Sequence, residues 1–211
     1  MPPIKTIIFD IGGVLLDIHP QKTFEYWSSI TGLSSNKLQE SIPWDLHTKY
    51  ETGKLDDHQF YSAVKKLLPE DNKISEEDFW YGWELLLGNE SPVVDLLESC
   101  YKTIPIWLLS NTNPRHIHFL RSSSEHRFHQ FINGEIYYYK AGCKKPNKEI
   151  YTLILDRIGK FGHEVLFIDD NAENVTAAKM AGMNAVIYEG IDKLFESLEK
   201  LKLLIKNSVV V

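Results

Sequence analysis

Asp10 follows the short apolar run 6–9 and precedes Ile11-Gly12-Gly13. A run of that length fits a strand buried on both faces, which would deliver Asp10 to the carboxyl edge of a sheet. A carboxylate there can attack an electrophile or hold a cation, and it can equally cap a turn. The two glycines let backbone come close to a ligand. A second run, Trp107-Leu108-Leu109, ends in Ser110-Asn111-Thr112-Asn113. The Ser110 hydroxyl and the backbone N–H of Asn111 can point together at a phosphoryl oxygen, while Asn113 suits the cap of a helix starting at Pro114. Lys145 precedes Pro146, and proline suits the first turn of a helix, which puts Lys145 at a loop–helix junction. From there its ammonium can neutralise both a phosphate and a carboxylate; taken alone, it reads as part of a solvated basic stretch with Lys140, Lys144 and Lys148. Asp169 and Asp170 close a further apolar run. Adjacent carboxylates are costly unless a cation or hydrogen bonds absorb the charge, and hard oxygen ligands of this kind select Mg²⁺. Asp170 is the expected metal ligand; Asp169 serves the metal or the structure.

The elements that must position these residues form a regular series. Runs at 6–9, 104–109, 165–168 and 184–188, with a fifth at 135–139, read as buried strands. Helical patterns at 114–121, 148–158 and 172–181 alternate with them, and a last helix is expected over 191–205. Gly182 stands where a helix-terminating glycine belongs. The alternation predicts an α/β fold with a doubly wound parallel sheet. Between the first and second strands lie helical patterns at 22–31, 36–42, 58–68 and 76–87, with no convincing strand. Residues 1–17 and 90–211 are therefore expected to form the core, and residues 18–89 an inserted helical cap. Ligands of such sheets bind beyond the carboxyl ends of the strands, where a cap would roof them.

The chain has 211 residues, 43% hydrophobic and 25% charged, enough for one sizeable core and a small accessory unit. A net charge of −6 argues against a nucleic-acid partner, which needs clustered Lys and Arg. Cys100 and Cys143 lack metal-like spacing and read as reduced thiols. The opening residues show no signal-peptide pattern, and no apolar run is long enough to span a membrane. The expectation is a cytoplasmic protein without a membrane partner; Val209, Val210 and Val211 are too short a run to anchor it. His116, His118, His126 and His129 read as surface or local packing.

In order and strand context, these motifs resemble the haloacid dehalogenase superfamily over nearly the whole chain, helical insertion included. The resemblance implies that Asp10 is a phosphate-accepting nucleophile, Ser110 the phosphate-binding hydroxyl, Lys145 the site lysine and Asp169-Asp170 the acidic metal motif. It further implies Mg²⁺ held by Asp10, the Gly12 carbonyl and Asp170, and a small phosphorylated metabolite as substrate. One position departs from the common pattern. Most phosphatases of the superfamily carry a second Asp two residues after the nucleophile as general acid and base, and here that residue is Gly12. The Asp10-Ile11-Gly12 pattern, Asn111-Thr112-Asn113 and the stretch from His47 to Gly53 resemble a branch of α-D-glucose-1-phosphate phosphatases and epoxide-hydrolase-like proteins. A sugar 1-phosphate is the substrate expected from this, because an acidic anomeric oxygen leaves with less help. Most aromatics of the insertion read as its own core. Trp44 and Tyr50 are the expected exceptions, positioned to stack on substrate because they flank the Glu51-Thr52-Gly53 turn, which in the family's cap faces the core. The alternatives are a dehalogenase, disfavoured by Asp169-Asp170, and a non-catalytic binding protein, favoured only by Gly12.

Overall fold

The computed structural model describes residues 3–204. In chain order it begins with β1 (Thr6–Phe9), β2 (Leu16–Ile18), α1 (Pro20–Thr31), α2 (Ser35–Ser41), α3 (Trp44–Glu51), α4 (Asp57–Lys65), α5 (Glu76–Glu84) and β3 (Leu87–Glu90). It continues with α6 (Val93–Tyr101), β4 (Ile106–Ser110), α7 (Pro114–Ser122), β5 (Gly134–Tyr137), α8 (Tyr138–Ala141) and α9 (Lys148–Ile158). It ends with β6 (Val165–Asp169), α10 (Ala172–Met180), β7 (Asn184–Ile187) and α11 (Ile191–Lys200). The expected last helix reached Ile205, which, like Val209, Val210 and Val211, lies outside the described residues.

Five strands pair in the order β5-β4-β1-β6-β7, every pair parallel. Alternate side chains explain why the three central strands, β4, β1 and β6, are nearly unbroken apolar runs. Ile7 and Phe9, Ile106 and Leu108, and Leu166 and Ile168 bury into one cluster with Val93 and Leu97 of α6 and Leu194 and Leu198 of α11. Ile8, Leu109, Val165 and Phe167 bury on the other face against Ile150 and Ile154 of α9 and Val175 and Ala178 of α10. Helices thus cover both faces of a doubly wound α/β sheet. The chain leaves β1 for β4 on one side and later returns to β6 on the other. That reversal opens a crevice beyond the carboxyl end of β1.

The helices between β2 and β3 bury a separate cluster built on Trp27, Tyr50, Phe60, Phe79, Trp80 and Trp83. Capping boxes at Asp56–Gln59 and Ser75–Asp78 start α4 and α5. Three features differ from expectation. The helix expected over 76–87 stops at Glu84, and the chain re-enters as β3, antiparallel to β2 with Leu16 opposite Glu90 and Ile18 opposite Leu87. Gly88 permits this close pairing, since a Cβ there would come within 2.9 Å of the Asp17 backbone and 2.7 Å of His19 Nε2. Helices α3, α6 and α8 were not anticipated, although the stripe Val93, Leu96, Leu97 and Cys100 carries the helical period for α6; the strand expected over 135–139 ends at Tyr137, where α8 takes over. Pro146, expected in the first turn of a helix, stands ahead of α9, which begins at Lys148, so Lys145 lies in the loop that leads to the helix. No helix among the described residues is long and apolar enough to cross a membrane.

Candidate active site

Three strand ends and one loop converge on the crevice. Asp10 follows β1 directly, its N–H donating to Ile168 O at 2.9 Å, which ties it to β6. Its Oδ1 accepts from the Ile11 N–H at 2.7 Å and lies 2.8 Å from Lys145 Nζ. The Lys145 ammonium also donates to Asp169 Oδ2 at 2.6 Å. Asp169 is fully buried, and Asn174 and the Asn171 N–H supply its further hydrogen bonds. Asn111 clamps the lysine loop from both sides: its Oδ1 accepts from the Lys145 N–H and its Nδ2 donates to the Lys145 carbonyl, each at 3.0 Å. Ser110, at the end of β4, is buried beside it.

Carboxylate oxygens of Asp10, Asp169 and Asp170 lie within 4.8 Å of one another. Burial raises the Asp10 carboxyl to about 6, with Lys145 pulling it down and Asp169 pushing it up. Burial also lifts Asp170 above the ordinary carboxyl range, with Asp169 adding to the effect. For Lys145 burial opposes the charge, but Asp10 and Asp169 outweigh it and hold the ammonium above its ordinary value. Three carboxylates share one ammonium, so the cluster has an excess of negative charge. An all-oxygen set of this charge fits Mg²⁺. Gly13 makes room for the arrangement, because a Cβ there would fall 2.1 Å from Asp170 Oδ2 at a φ of +76°.

A cavity of about 330 Å³ joins Asp10, Gly12, Ser110, Lys145 and Asp170 to His47 and Glu51 of α3. Asp10, Ser110, Lys145, Asp169 and Asp170, all anticipated from sequence, therefore meet at one place. Tyr50 does not join them. It is fully buried in the insertion, stacked on Phe60 with centroids 4.4 Å apart, and its hydroxyl donates to Asp57 Oδ1 at 2.8 Å. Trp44 is 71% exposed and lies outside the chamber of Asp10. Its ring stacks on His47 and borders an adjoining apolar cavity of about 290 Å³, which shares His47 and Leu86 with the first. The physical reason is the face that α3 buries: consecutive helical residues point about 100° apart, so Tyr50 turns into the core of the insertion while Glu51 turns to the chamber.

Several residues at the site were missed in the sequence reading or read as packing. His116 lines the cavity with both ring nitrogens engaged, one with Asn113 Nδ2 at 3.1 Å and one with the Trp83 carbonyl at 3.2 Å. Burial pushes His116 down to about 4. Burial, then Lys144, takes His47 down to about 4 as well. Burial raises Glu51 to about 7, against the pull of Lys144. The i,i+4 spacing of His47 and Glu51 was the available signal. Asn174 sits one helical turn into α10, and only the fold turns it back toward Asp169.

Comparison with known proteins bears on this arrangement. The chain is 28% identical over 188 residues to a D-ribitol-5-phosphate phosphatase of Bacteroides thetaiotaomicron, covering 85% of this chain and 89% of the relative. It is 25% identical over 181 residues to a sesquiterpene phosphatase of Aspergillus oryzae, covering 85% and 87%. In fold it resembles a haloacid dehalogenase family enzyme from Bacteroides thetaiotaomicron solved with magnesium and inorganic phosphate; the TM-score is 0.81 at 22% identity, over 91% of this chain and 99% of that one. The haloacid dehalogenase-like hydrolase family is matched by residues 4–182, so the chain belongs to that family.

Proposed function

We propose that the chain is a Mg²⁺-dependent phosphomonoesterase that works through a phosphoryl group carried on Asp10. The observation behind this is the Lys145 ammonium bridging Asp10 and Asp169, with Asp170 alongside, in the wall of a chamber that Ser110 also lines. Asp10, Asp170 and the Gly12 carbonyl would hold Mg²⁺, with Asp169 orienting the set through Lys145. Bound there, the ion supplies charge stabilisation for the phosphoryl oxygens. An Asp10 carboxylate oxygen attacks phosphorus as the bond to the alcohol oxygen breaks. Lys145, the Ser110 hydroxyl and the Asn111 N–H steady the charge on the transferring group, so positioning and electrostatics do most of the work. Water then attacks the same phosphorus and releases Asp10. The named phosphatase relatives support phosphate over halide chemistry, as does Asp170 beside the nucleophile.

The adjoining apolar cavity offers room for the alcohol portion of the ester. Thr23 Oγ1 and Trp83 Nε1 belong to residues lining it and are buried without a hydrogen-bond partner among the described residues. The ribbon of β2 and β3 is where the insertion joins the core, and movement there would open and close the chamber.

A panel of phosphate esters, assayed with Mg²⁺ and again with excess chelator, tests the assignment. Turnover of at least one ester that vanishes with chelator and returns with Mg²⁺ is expected; halide release from a 2-haloacid without Mg²⁺ would reverse it. Gly12 brings no proton to the leaving oxygen, so glucose 1-phosphate is expected to turn over faster than glucose 6-phosphate. Gly13→Ala would press a methyl group onto Asp170, and titration calorimetry is expected to show Mg²⁺ binding weakened by roughly 10- to 100-fold. Unchanged affinity in that variant would remove Asp170 from the ligand set.

A further inference from the structure

We propose that Glu51, supplied by the helical insertion, is the general acid and base of this enzyme, in place of the carboxyl that Gly12 lacks. The inference rests on the phosphatase reading. Six ionisable side chains line the chamber: Asp10, His47, Glu51, His116, Lys145 and Asp170. Asp10, Lys145 and Asp170 form the phosphate and metal cluster. His116 has both nitrogens committed to Asn113 and Trp83. His47 is held neutral by burial and Lys144, so it has no proton to give near neutral pH. Glu51 remains. Its side chain is only 12% exposed, and its ionic neighbour is the uncharged His47, whose Nδ1 lies 3.6 Å from Oε2.

The other charged or titratable groups around Glu51 are Lys144, just beyond α8, and Tyr138 on α8. Burial exceeds the pull of Lys144, and the carboxyl is held at about 7. A group poised there exists in both forms at working pH, as a catalyst that must give and then take one proton requires. In the first half-reaction the bond from Asp10 oxygen to phosphorus forms, the bond from phosphorus to the ester oxygen breaks, and the Glu51 proton passes to that oxygen. In the second, the Glu51 carboxylate takes a proton from water while the water oxygen bonds to phosphorus and the Asp10 oxygen leaves. Glu51 ends protonated, and the net change is ester plus water to alcohol plus phosphate.

The test is Glu51→Gln, which keeps size and polarity, assayed with Mg²⁺ on p-nitrophenyl phosphate and on a primary-alcohol ester that the wild type hydrolyses. The alcohol ester is expected to lose roughly 10²-fold or more in kcat/KM. The activated aryl ester needs no proton for departure, so the variant should release a stoichiometric burst of p-nitrophenolate and then stall. Mass spectrometry of the stalled protein should find phosphate on Asp10. The wild-type fall in kcat/KM above about pH 7, where Glu51 loses its proton, should be absent from the variant. Turnover should return in Glu51→Gln/Gly12→Asp, because an added Cβ at Gly12 meets only the flexible end of Ile18, at 3.2 Å. Unchanged kcat/KM for the alcohol ester, or an equal loss on both esters with no burst, overturns the assignment of Glu51 and leaves the phosphatase reading intact. A wild type inert on every ester overturns both.

Discussion

Asp10→Asn protein is expected to keep its fold and lose turnover by on the order of 10⁴-fold or more, as removal of an attacking group does in other covalent enzymes. The amide preserves shape: an Asn oxygen can still accept from the Ile11 N–H and the Lys145 ammonium, both of which now bond Oδ1. It removes the carboxylate that attacks phosphorus in the proposed mechanism. Stability should move the other way. The folded Asp10 carboxyl stands at about 6 against an ordinary 3.8. A raised carboxyl means that the folded state binds the proton more tightly, so wild-type stability falls as pH rises through this window. Asn has no such dependence. In metal-free buffer at pH 7 the variant should therefore melt at or above the wild type, with the advantage gone at pH 3. Calorimetry at both pH values and a phosphate-release assay read the two effects separately. Wild-type turnover in the purified variant would rule out Asp10 as nucleophile; normal loss of turnover with a collapsed melting temperature would rule out the account of its burial.

Lys145→Met carries the largest expected cost in stability. The ammonium is buried between two carboxylates, one fully enclosed. Removing one partner of a buried ion pair leaves charge without compensation, which costs about 3–5 kcal/mol. The folded state holds Lys145 above its ordinary pKa, so its contribution is present across the neutral range and is lost only as pH rises through that raised value. Urea unfolding should show the full deficit near pH 7, and adding Asp169→Asn should recover part of it, since the two residues touch and their effects do not add. A deficit below about 1 kcal/mol would mean that the pair is solvated in solution, as exposed pairs are. Phosphate-ester hydrolysis should be lost in the single variant, because the proposed mechanism uses the same ammonium to meet the phosphoryl group.

Glu51 alters how the Gly12 departure is read. With Gly12 alone, a good leaving group is the natural compensation, and a sugar 1-phosphate provides one. With a proton source on α3, the preference for glucose 1-phosphate narrows in the wild type and widens in Glu51→Gln. The insertion then has two duties at the chamber, a wall for the alcohol portion and a titratable side chain.

The residues of the cluster were readable from sequence because each is tied to a local pattern. Apolar runs mark strands buried on both faces, and Asp10, Ser110, Asp169 and Asp170 stand at their carboxyl ends. Parallel strands bring such ends together whatever their distance along the chain. Tertiary structure decided the rest. The β2–β3 ribbon joins segments on either side of five helices, so neither strand carries enough pattern to declare its partner. Tyr50 and Glu51 are neighbours in sequence, yet one is sealed into the insertion and the other lines the chamber. A short helix with few apolar residues carries too weak a stripe to say which side packs. That choice was made by Phe60, Trp80 and Trp83, which enclose the Tyr50 ring and thereby leave Glu51, about 100° further round α3, to line the chamber of Asp10.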